Sequence, residues 1–199
     1  MLEGFLGAMM GYLLGSIPVG YLLVLWKKKI DIRTVGSGNI GATNVTRVLG
    51  KPWGITVAIF DMAKGGVLVL LCKFFFGVDP LTLAVIGIAS ILGHDFPVWL
   101  HFRGGKGVST TYGVIFALCP LAALVSGAVW YGTMRVTKYV SLASIISVCL
   151  APMFMKLMGA NQYYVYAGII MAILVIIRHH KNIENLMKGK ELKVKGRGQ

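Results

Sequence analysis

The chain has 199 residues, 56% of them hydrophobic and only 14% charged, with a mean hydropathy of +0.75. Soluble domains carry roughly 25% charged residues, so an ordinary soluble globular class is excluded and a polytopic membrane protein is expected. Lys and Arg number 20 against 7 Asp and Glu, a net charge of +13. The bases lie beside apolar runs and not on a separate basic motif, so they read as flanks facing anionic lipid, and a nucleic-acid partner is set aside.

A first apolar segment over residues 4–26 ends in Lys27-Lys28-Lys29. Glu3 stands where a signal peptide would need positive charge, so the segment reads as an uncleaved helix. Gly4, Gly7, Gly11 and Gly15 form a small-residue stripe suited to close helix packing. The lysine triplet places the N-terminus outside and the next stretch in the cytoplasm. That stretch, Val35 to Arg47, is polar, free of carboxylates and rich in glycine. Gly36, Gly38 and Gly41 permit tight turns whose N–H groups can favour an anion, and Arg47 can add a planar grip.

A second segment over residues 53–77 carries Asp61 and Lys64, which at i, i+3 share a helix face and are expected to form a structural ion pair. A third over 80–100 returns to the cytoplasm and runs into Gly93-His94-Asp95 and Arg103-Gly104-Gly105-Lys106-Gly107. This second glycine-rich run suits a backbone-plus-lysine anion cradle opening a helix, although it lacks the spacing of a Walker A loop. His94, His101 and His180 read as interfacial polar residues.

The apolar stretch from Val108 to Met134 is long for one span, and as one helix it would leave Arg135 and Lys138 outside. A break at Cys119-Pro120 is favoured, giving short helices over 107–118 and 120–134 that need burial against neighbours. Helices over 139–158 and 162–180 complete about seven transmembrane or partly spanning elements, with the C-terminus cytoplasmic. All of the 20 basic residues except Lys64, Lys73 and Lys156 then lie on the cytoplasmic side. So do the three polar stretches, the third being Arg178-His179 through Asn182 to Gly189 and Glu191. Lys193, Lys195 and Arg197 form a basic tail, and Tyr163, Tyr164 and Tyr166 read as an outer aromatic belt. Cys72, Cys119 and Cys149 lack metal-ligand spacing and read as small hydrophobes.

The cytoplasmic stretches bring together Ser37, Arg47, Arg103, Lys106, Arg178, His179 and Asn182 with few carboxylates. Such a site suits phosphorylated ligands with an apolar tail in the membrane. Carboxylate pairs for a metal or for glycosidic chemistry are missing, so no metal and no cofactor are expected. A triad of Ser37, His179 and Asp95 is a weaker alternative. Glu184 stands five residues after His179 and reads as an orienting or capping group. A transporter of organic phosphates would place its charges near the midplane between repeats, and a purely structural scaffold would not require three such stretches on one face.

Gly36-Ser37-Gly38-Asn39-Ile40-Gly41-Ala42-Thr43-Asn44 resembles the first motif of the bacterial acyl-phosphate:glycerol-3-phosphate acyltransferases. Gly93-His94 through Gly104-Gly105-Lys106-Gly107 resembles the second, and Arg178-His179 with Asn182-Ile183, Gly189 and Glu191 the third. Essentially the whole chain is covered; Asn185 stands where a basic residue is expected. The resemblance implies an all-α enzyme of the bacterial inner membrane, facing the cytoplasm and acting as a monomer. Its substrates would be acyl-phosphate and glycerol 3-phosphate, its setting membrane lipid, and its product 1-acyl-glycerol 3-phosphate. Gly38, Asn39, Gly41, Thr43, Asn44, Arg47, Arg103, Gly104, Gly105, Lys106 and Gly107 are then expected to hold substrate phosphates. Ser37 and Asn182 would position the acceptor or polarise the carbonyl, His179 would act as base or orient a neighbour, and Asp61, Lys64 and Glu191 would be structural.

Overall fold

The computed structural model describes residues 2–194, so Lys195 and Arg197 of the basic tail lie outside it. The chain is all-α among the described residues. Its helices are α1 (Leu2–Gly15), α2 (Val19–Lys28), α3 (Ala42–Leu49), α4 (Lys51–Phe75), α5 (Pro80–Asp95), α6 (Val108–Leu118), α7 (Pro120–Thr137), α8 (Val140–Leu157), α9 (Gln162–Arg178) and α10 (His180–Met187), with single 3-10 turns at Ile32–Thr34 and Val98–Leu100. Four stretches are long and apolar enough to cross a membrane, namely Leu2–Lys28, Lys51–Phe75, Pro80–Leu100 and Val140–Leu157; α9 and α10, bent by 60°, make a fifth when taken together. This is a multi-pass membrane protein.

Several boundaries differ from the sequence reading: α4 is shifted by two residues, α7 runs three residues further, and α5 stops at Asp95 with only a 3-10 turn at Val98–Leu100 beyond it. Three further differences shape the site. The single helix over 4–26 breaks at Ser16-Ile17-Pro18, because Pro18 has no N–H to donate and disfavours helical backbone at Ile17. The Ile17 carbonyl freed by the break accepts a hydrogen bond from Lys64 Nζ at 2.9 Å. The helix over 162–180 ends at Arg178 and turns at His179. The polar stretch after Gly41 is not loop throughout: residues 42–49 wind into α3, whose buried Val45 faces the core. At Cys119 the chain does break between α6 and α7. The two halves choose different partners, α6 packing on α4 and α7 on α8.

Lipid offers no hydrophobic drive for helices to associate, so close backbone approach carries the packing. The glycine stripe of α1 lies against α5: a Cβ placed on Gly15 would sit 2.0 Å from the Ser90 carbonyl oxygen, and one on Gly93 2.1 Å from that of Tyr12. The α4–α6 crossing repeats the device, with Gly113 against the Met62 carbonyl at 2.0 Å. An apolar cluster of Val24, Ile32, Ile40, Val45, Val57 and Leu100 lies beneath the first polar loop and ties it to α2 and α4.

Under the second loop lies a buried polar layer. Asp61 pairs with Lys64 at 2.9 Å, and His94 Nδ1 stands 3.6 Å from the same carboxylate oxygen. His94 is therefore not the interfacial residue the sequence suggests; at 4% exposure it is core. Tyr164 is likewise mostly buried, whereas Tyr166 is exposed as a belt residue should be.

Candidate active site

The first loop is organised by one side chain. Asn44, buried at 1% exposure, donates from Nδ2 to the carbonyls of Asn39 (2.9 Å), Val35 (3.0 Å) and Ile32 (3.3 Å), and accepts at Oδ1 from the Ser37 N–H (2.9 Å). An amide has two N–H donors, so nothing is left of Asn44 for a phosphate. Asn39 is also committed, its Oδ1 accepting from the Gly41 N–H at 2.8 Å. Asn44 thus acts on the loop and not on a ligand, whereas Asn39 commits only its oxygen to it. Gly36 has φ +61° and lies against Asn44, where a Cβ would meet Oδ1 at 2.1 Å. The result presents the Ser37 side chain outward, exposed at the loop tip, with Thr43 partly exposed beside it and Arg47 exposed one helical turn on.

The second loop pairs with the end of α5. The Gly104 N–H donates to the Asp95 carbonyl (3.2 Å) and the Gly105 N–H to that of His94 (3.0 Å). Gly105 lies directly on the His94 ring, a Cβ there meeting Nε2 at 1.9 Å. The outer edge of the loop is held from α9: Arg178 Nε donates to the Gly105 carbonyl (3.0 Å) and Nη2 to the carbonyls of Gly105 (2.7 Å) and Gly104 (3.4 Å). The expected backbone cradles are corrected by these bonds. The N–H groups of Gly38, Gly41, Gly104 and Gly105 are all donated within the protein, Gly38 to the Val35 carbonyl. These four amides are therefore not free to cradle an anion.

The third stretch meets the second through Lys106, whose ammonium donates to Asn182 Oδ1. Asn182 Nδ2 donates to Glu191 Oε1 at 2.7 Å, and the same oxygen accepts from Ser141 Oγ at 2.7 Å. Val194 N–H donates to the Lys138 carbonyl (2.9 Å), so the segment after Gly189 straps across the α7–α8 junction. His179 is buried, with Nδ1 2.8 Å from the Val175 carbonyl; that contact calls for a proton on Nδ1 and leaves the Nε2 lone pair. It also occupies the nitrogen a triad aspartate would need. Asp95 instead lies against Gly107, a Cβ there being 2.9 Å from Oδ1. Glu184 does not orient His179 but pairs with Lys188 at the surface, and His101 and His180 are exposed.

Between the first and second loops opens a cavity of about 410 Å³, lined by Arg33, Gly38, Phe102, Arg103, Gly104 and Arg178. Arg33 is a lining residue the sequence reading missed. Its partner Asp31, 2.6 Å from Nη2, makes it look self-neutralised, yet it stands on the same loop as Ser37. Ser141 was also missed, since nothing in the α8 sequence marks it as a partner for Glu191. Among the described residues no cluster of three or more His, Cys, Asp or Glu side chains could hold a metal. Burial, with the nearby Arg178 and Arg47, lowers the Lys106 ammonium to a pKa of about 8, against the opposing pull of Glu191. Partial desolvation likewise lowers the pKa of Arg47, against the opposing pull of Glu191. The arrangement is a set of cations carried by loops at one end of a helix bundle, with Lys106 the one whose charge is weakened most.

The chain is similar to known proteins throughout this region and beyond it. A glycerol-3-phosphate acyltransferase of Desulforamulus reducens is 45% identical over 185 residues, 92% of this chain and 91% of the relative. One from Aquifex aeolicus is 45% identical over 180 residues, 90% and 93% of the two chains. The crystal structure of PlsY (YgiH), an integral membrane glycerol 3-phosphate acyltransferase, in its glycerol 3-phosphate form superposes with a TM-score of 0.93 at 42% identity, covering 97% of this chain and 96% of that one. Its lysophosphatidic acid form gives 0.89 at 41% identity, again over 97% and 96%. With residues 5–189 also matching the family description, the chain belongs to the glycerol-3-phosphate acyltransferase family.

Proposed function

We propose that this enzyme transfers a fatty acyl group from acyl-phosphate to the 1-hydroxyl of glycerol 3-phosphate, releasing 1-acyl-glycerol 3-phosphate and inorganic phosphate. The observation that carries the reading is the junction of Lys106 with Asn182 beside an arginine-lined cavity. Two phosphate-bearing substrates need two cationic subsites, and Arg103 in the cavity and the Lys106–Arg47 side supply them. The mixed anhydride is already activated, so direct attack by the hydroxyl suffices and an acyl-Ser37 intermediate is unnecessary. The C–O bond to the phosphate breaks as the ester C–O bond forms, and the hydroxyl proton goes to a phosphate oxygen, whose second pKa is near ~6. Lys106 and Arg47 stabilise the departing phosphate; the Ser37 hydroxyl and the uncommitted amide N–H of Asn182 face the carbonyl oxygen. His179, buried and held by Val175, orients the site, which agrees with its lack of exposure.

The distribution of basic residues supports an N-terminus outside, a C-terminus inside and a site on the cytoplasmic face of a bacterial inner membrane. All three stretches come from one chain, which supports a monomer as the working unit. The test is purified protein with palmitoyl phosphate and labelled glycerol 3-phosphate, scored for lysophosphatidic acid, with palmitoyl-CoA as the competing donor. Product from the phosphate donor, none from the thioester, and loss of turnover in Lys106→Met are expected. Turnover with palmitoyl-CoA alone would overturn the donor assignment, and trapping of an acyl-Ser37 adduct would overturn direct transfer.

A further inference from the structure

Arg178 stands next to His179 in the third stretch and lines the cavity, a position that invites a phosphate contact. Its guanidinium is otherwise engaged. Nε and Nη2 together make three hydrogen bonds to the carbonyls of Gly104 and Gly105, and the plane sits over the Phe96 ring at 4.8 Å. Those carbonyls belong to a strip of chain whose N–H groups are already donated to His94 and Asp95. The strip is thus fastened on its inner edge by α5 and on its outer edge by Arg178. Lys106 leaves the strip at the next residue and reaches Asn182, which lies in α10 four residues after Arg178, across the bend at His179. The third stretch grips the second at two points, one on the backbone and one on the ammonium it carries.

We infer that Arg178 is a positioning residue: it clamps the Gly104-Gly105 backbone so that the Lys106 ammonium is delivered to Asn182 and the reacting phosphate. Arg is suited to this because its planar fork spans two adjacent carbonyls, which a lysine cannot do. Phe96 fixes the plane of that fork. The inference rests on the acyltransferase reading for its kinetic consequences and on the geometry alone for its structural ones.

The experiment compares wild type, Arg178→Ala, Arg178→Lys and Phe96→Leu by hydrogen exchange over residues 104–106 and by steady-state kinetics across pH. In Arg178→Ala the Gly104 and Gly105 amides should exchange faster, by about tenfold for each of the two shorter hydrogen bonds lost. Its kcat should fall about 100-fold through displacement of Lys106, with KM for either substrate changed much less. The Arg178 charge also holds the Lys106 pKa down, so Arg178→Ala should move the basic limb of the pH profile upward, whereas Arg178→Lys should leave it near its place while still accelerating exchange. Phe96→Leu, which keeps all three hydrogen bonds, should give a smaller rise in exchange in a protein that remains folded. Unchanged exchange in both Arg178 variants, or a selective rise in KM for one substrate with kcat preserved, would overturn the clamp. Because exchange is read without substrate, absence of any turnover in wild type would count against the acyl-phosphate reading and leave the clamp standing on the exchange result.

Discussion

Replacing Asn44 separates two meanings of the first loop. Asn44→Ala removes three donated bonds and one accepted bond, with lengths of 2.9, 3.0, 3.3 and 2.9 Å. Counting the three shorter bonds at about 1 kcal/mol each, and the long one as negligible, the ordered loop loses about 3 kcal/mol. Asn44→Asp is the sharper variant. It keeps the shape and the acceptor for the Ser37 N–H, but turns a donor into a carboxylate facing three carbonyl oxygens, so its cost is at least that of alanine. Hydrogen exchange over residues 36–44 should accelerate by about two orders of magnitude in both variants, since each 1.4 kcal/mol is tenfold. Turnover should collapse as Ser37 and Arg47 lose their common frame. If Asn44 were a phosphate contact, the aspartate would instead raise KM for one substrate and leave exchange as in wild type. Wild-type protection of residues 36–44 in Asn44→Asp would refute the scaffold argument.

The remaining expectations concern charge and packing. Turnover should fall as pH rises through about 8, where Lys106 loses its proton. Because its pKa in the folded protein lies below the ordinary 10.5, the folded state binds fewer protons between about 8 and 10.5, so this residue makes the protein more stable with rising pH over that window while activity declines. Lys106→Met should flatten that part of the pH–stability curve measured by thermal unfolding. Glu191→Gln removes the one group that raises the Lys106 pKa, so the basic limb should shift to lower pH. Gly105→Ala puts a methyl on the His94 ring and should lower kcat/KM about 100-fold; adding His94→Ala should recover part of the loss. Gly15→Val should cut the folded yield in detergent, because its Cβ would fall 2.0 Å from the Ser90 carbonyl oxygen.

Hydropathy, charge and glycine placement made much of this legible in the sequence. The stripe in α1 points to a tight crossing because four-residue spacing puts small residues on one face, and Pro120 marks a break because it cannot continue a helix from Leu118. What the sequence could not give is where each polar atom spends its hydrogen bonds. Glycine-rich loops suggest free N–H groups, but Asn39 and Asn44, read as ligand contacts, supply or satisfy the loop's own backbone. Lys64 was legible as the partner of Asp61 but not as the cap of the Ile17 carbonyl, since that carbonyl becomes free only once Pro18 breaks the helix. His94 looks interfacial from its place near Pro97 and Trp99, and only the fold shows Gly105 lying on it. Arg33 was passed over because its nearest carboxylate is two residues away.

The loops gain their function from this internal saturation. A backbone cradle with free N–H groups would bind any anion, water included, and would have to be desolvated with each substrate. Here the N–H groups of Ser37, Gly38, Gly41, Gly104 and Gly105 are satisfied within the protein, by Asn44, Val35 and Asn39 in one loop and by the end of α5 in the other, while Arg178 holds the Gly104 and Gly105 carbonyls. In the proposed reaction the charges left for the ligand are those of Arg47, Arg103 and Lys106, side chains mounted on those loops, Arg33 being paired with Asp31. Electrostatic stabilisation of a departing phosphate is greatest when the donors are aligned beforehand and pay no reorganisation cost. In the same proposed reaction a phosphate reaches these cations from water while the acyl chain stays in the lipid, because the loops close the end of a bundle whose outer surface, at residues such as Phe5, Phe74 and Ile173, is apolar and exposed. The glycines therefore act indirectly: they let each loop approach its scaffold closely, Gly36 on Asn44 and Gly105 on His94, which in the proposed reaction holds the side chains where the two substrates meet.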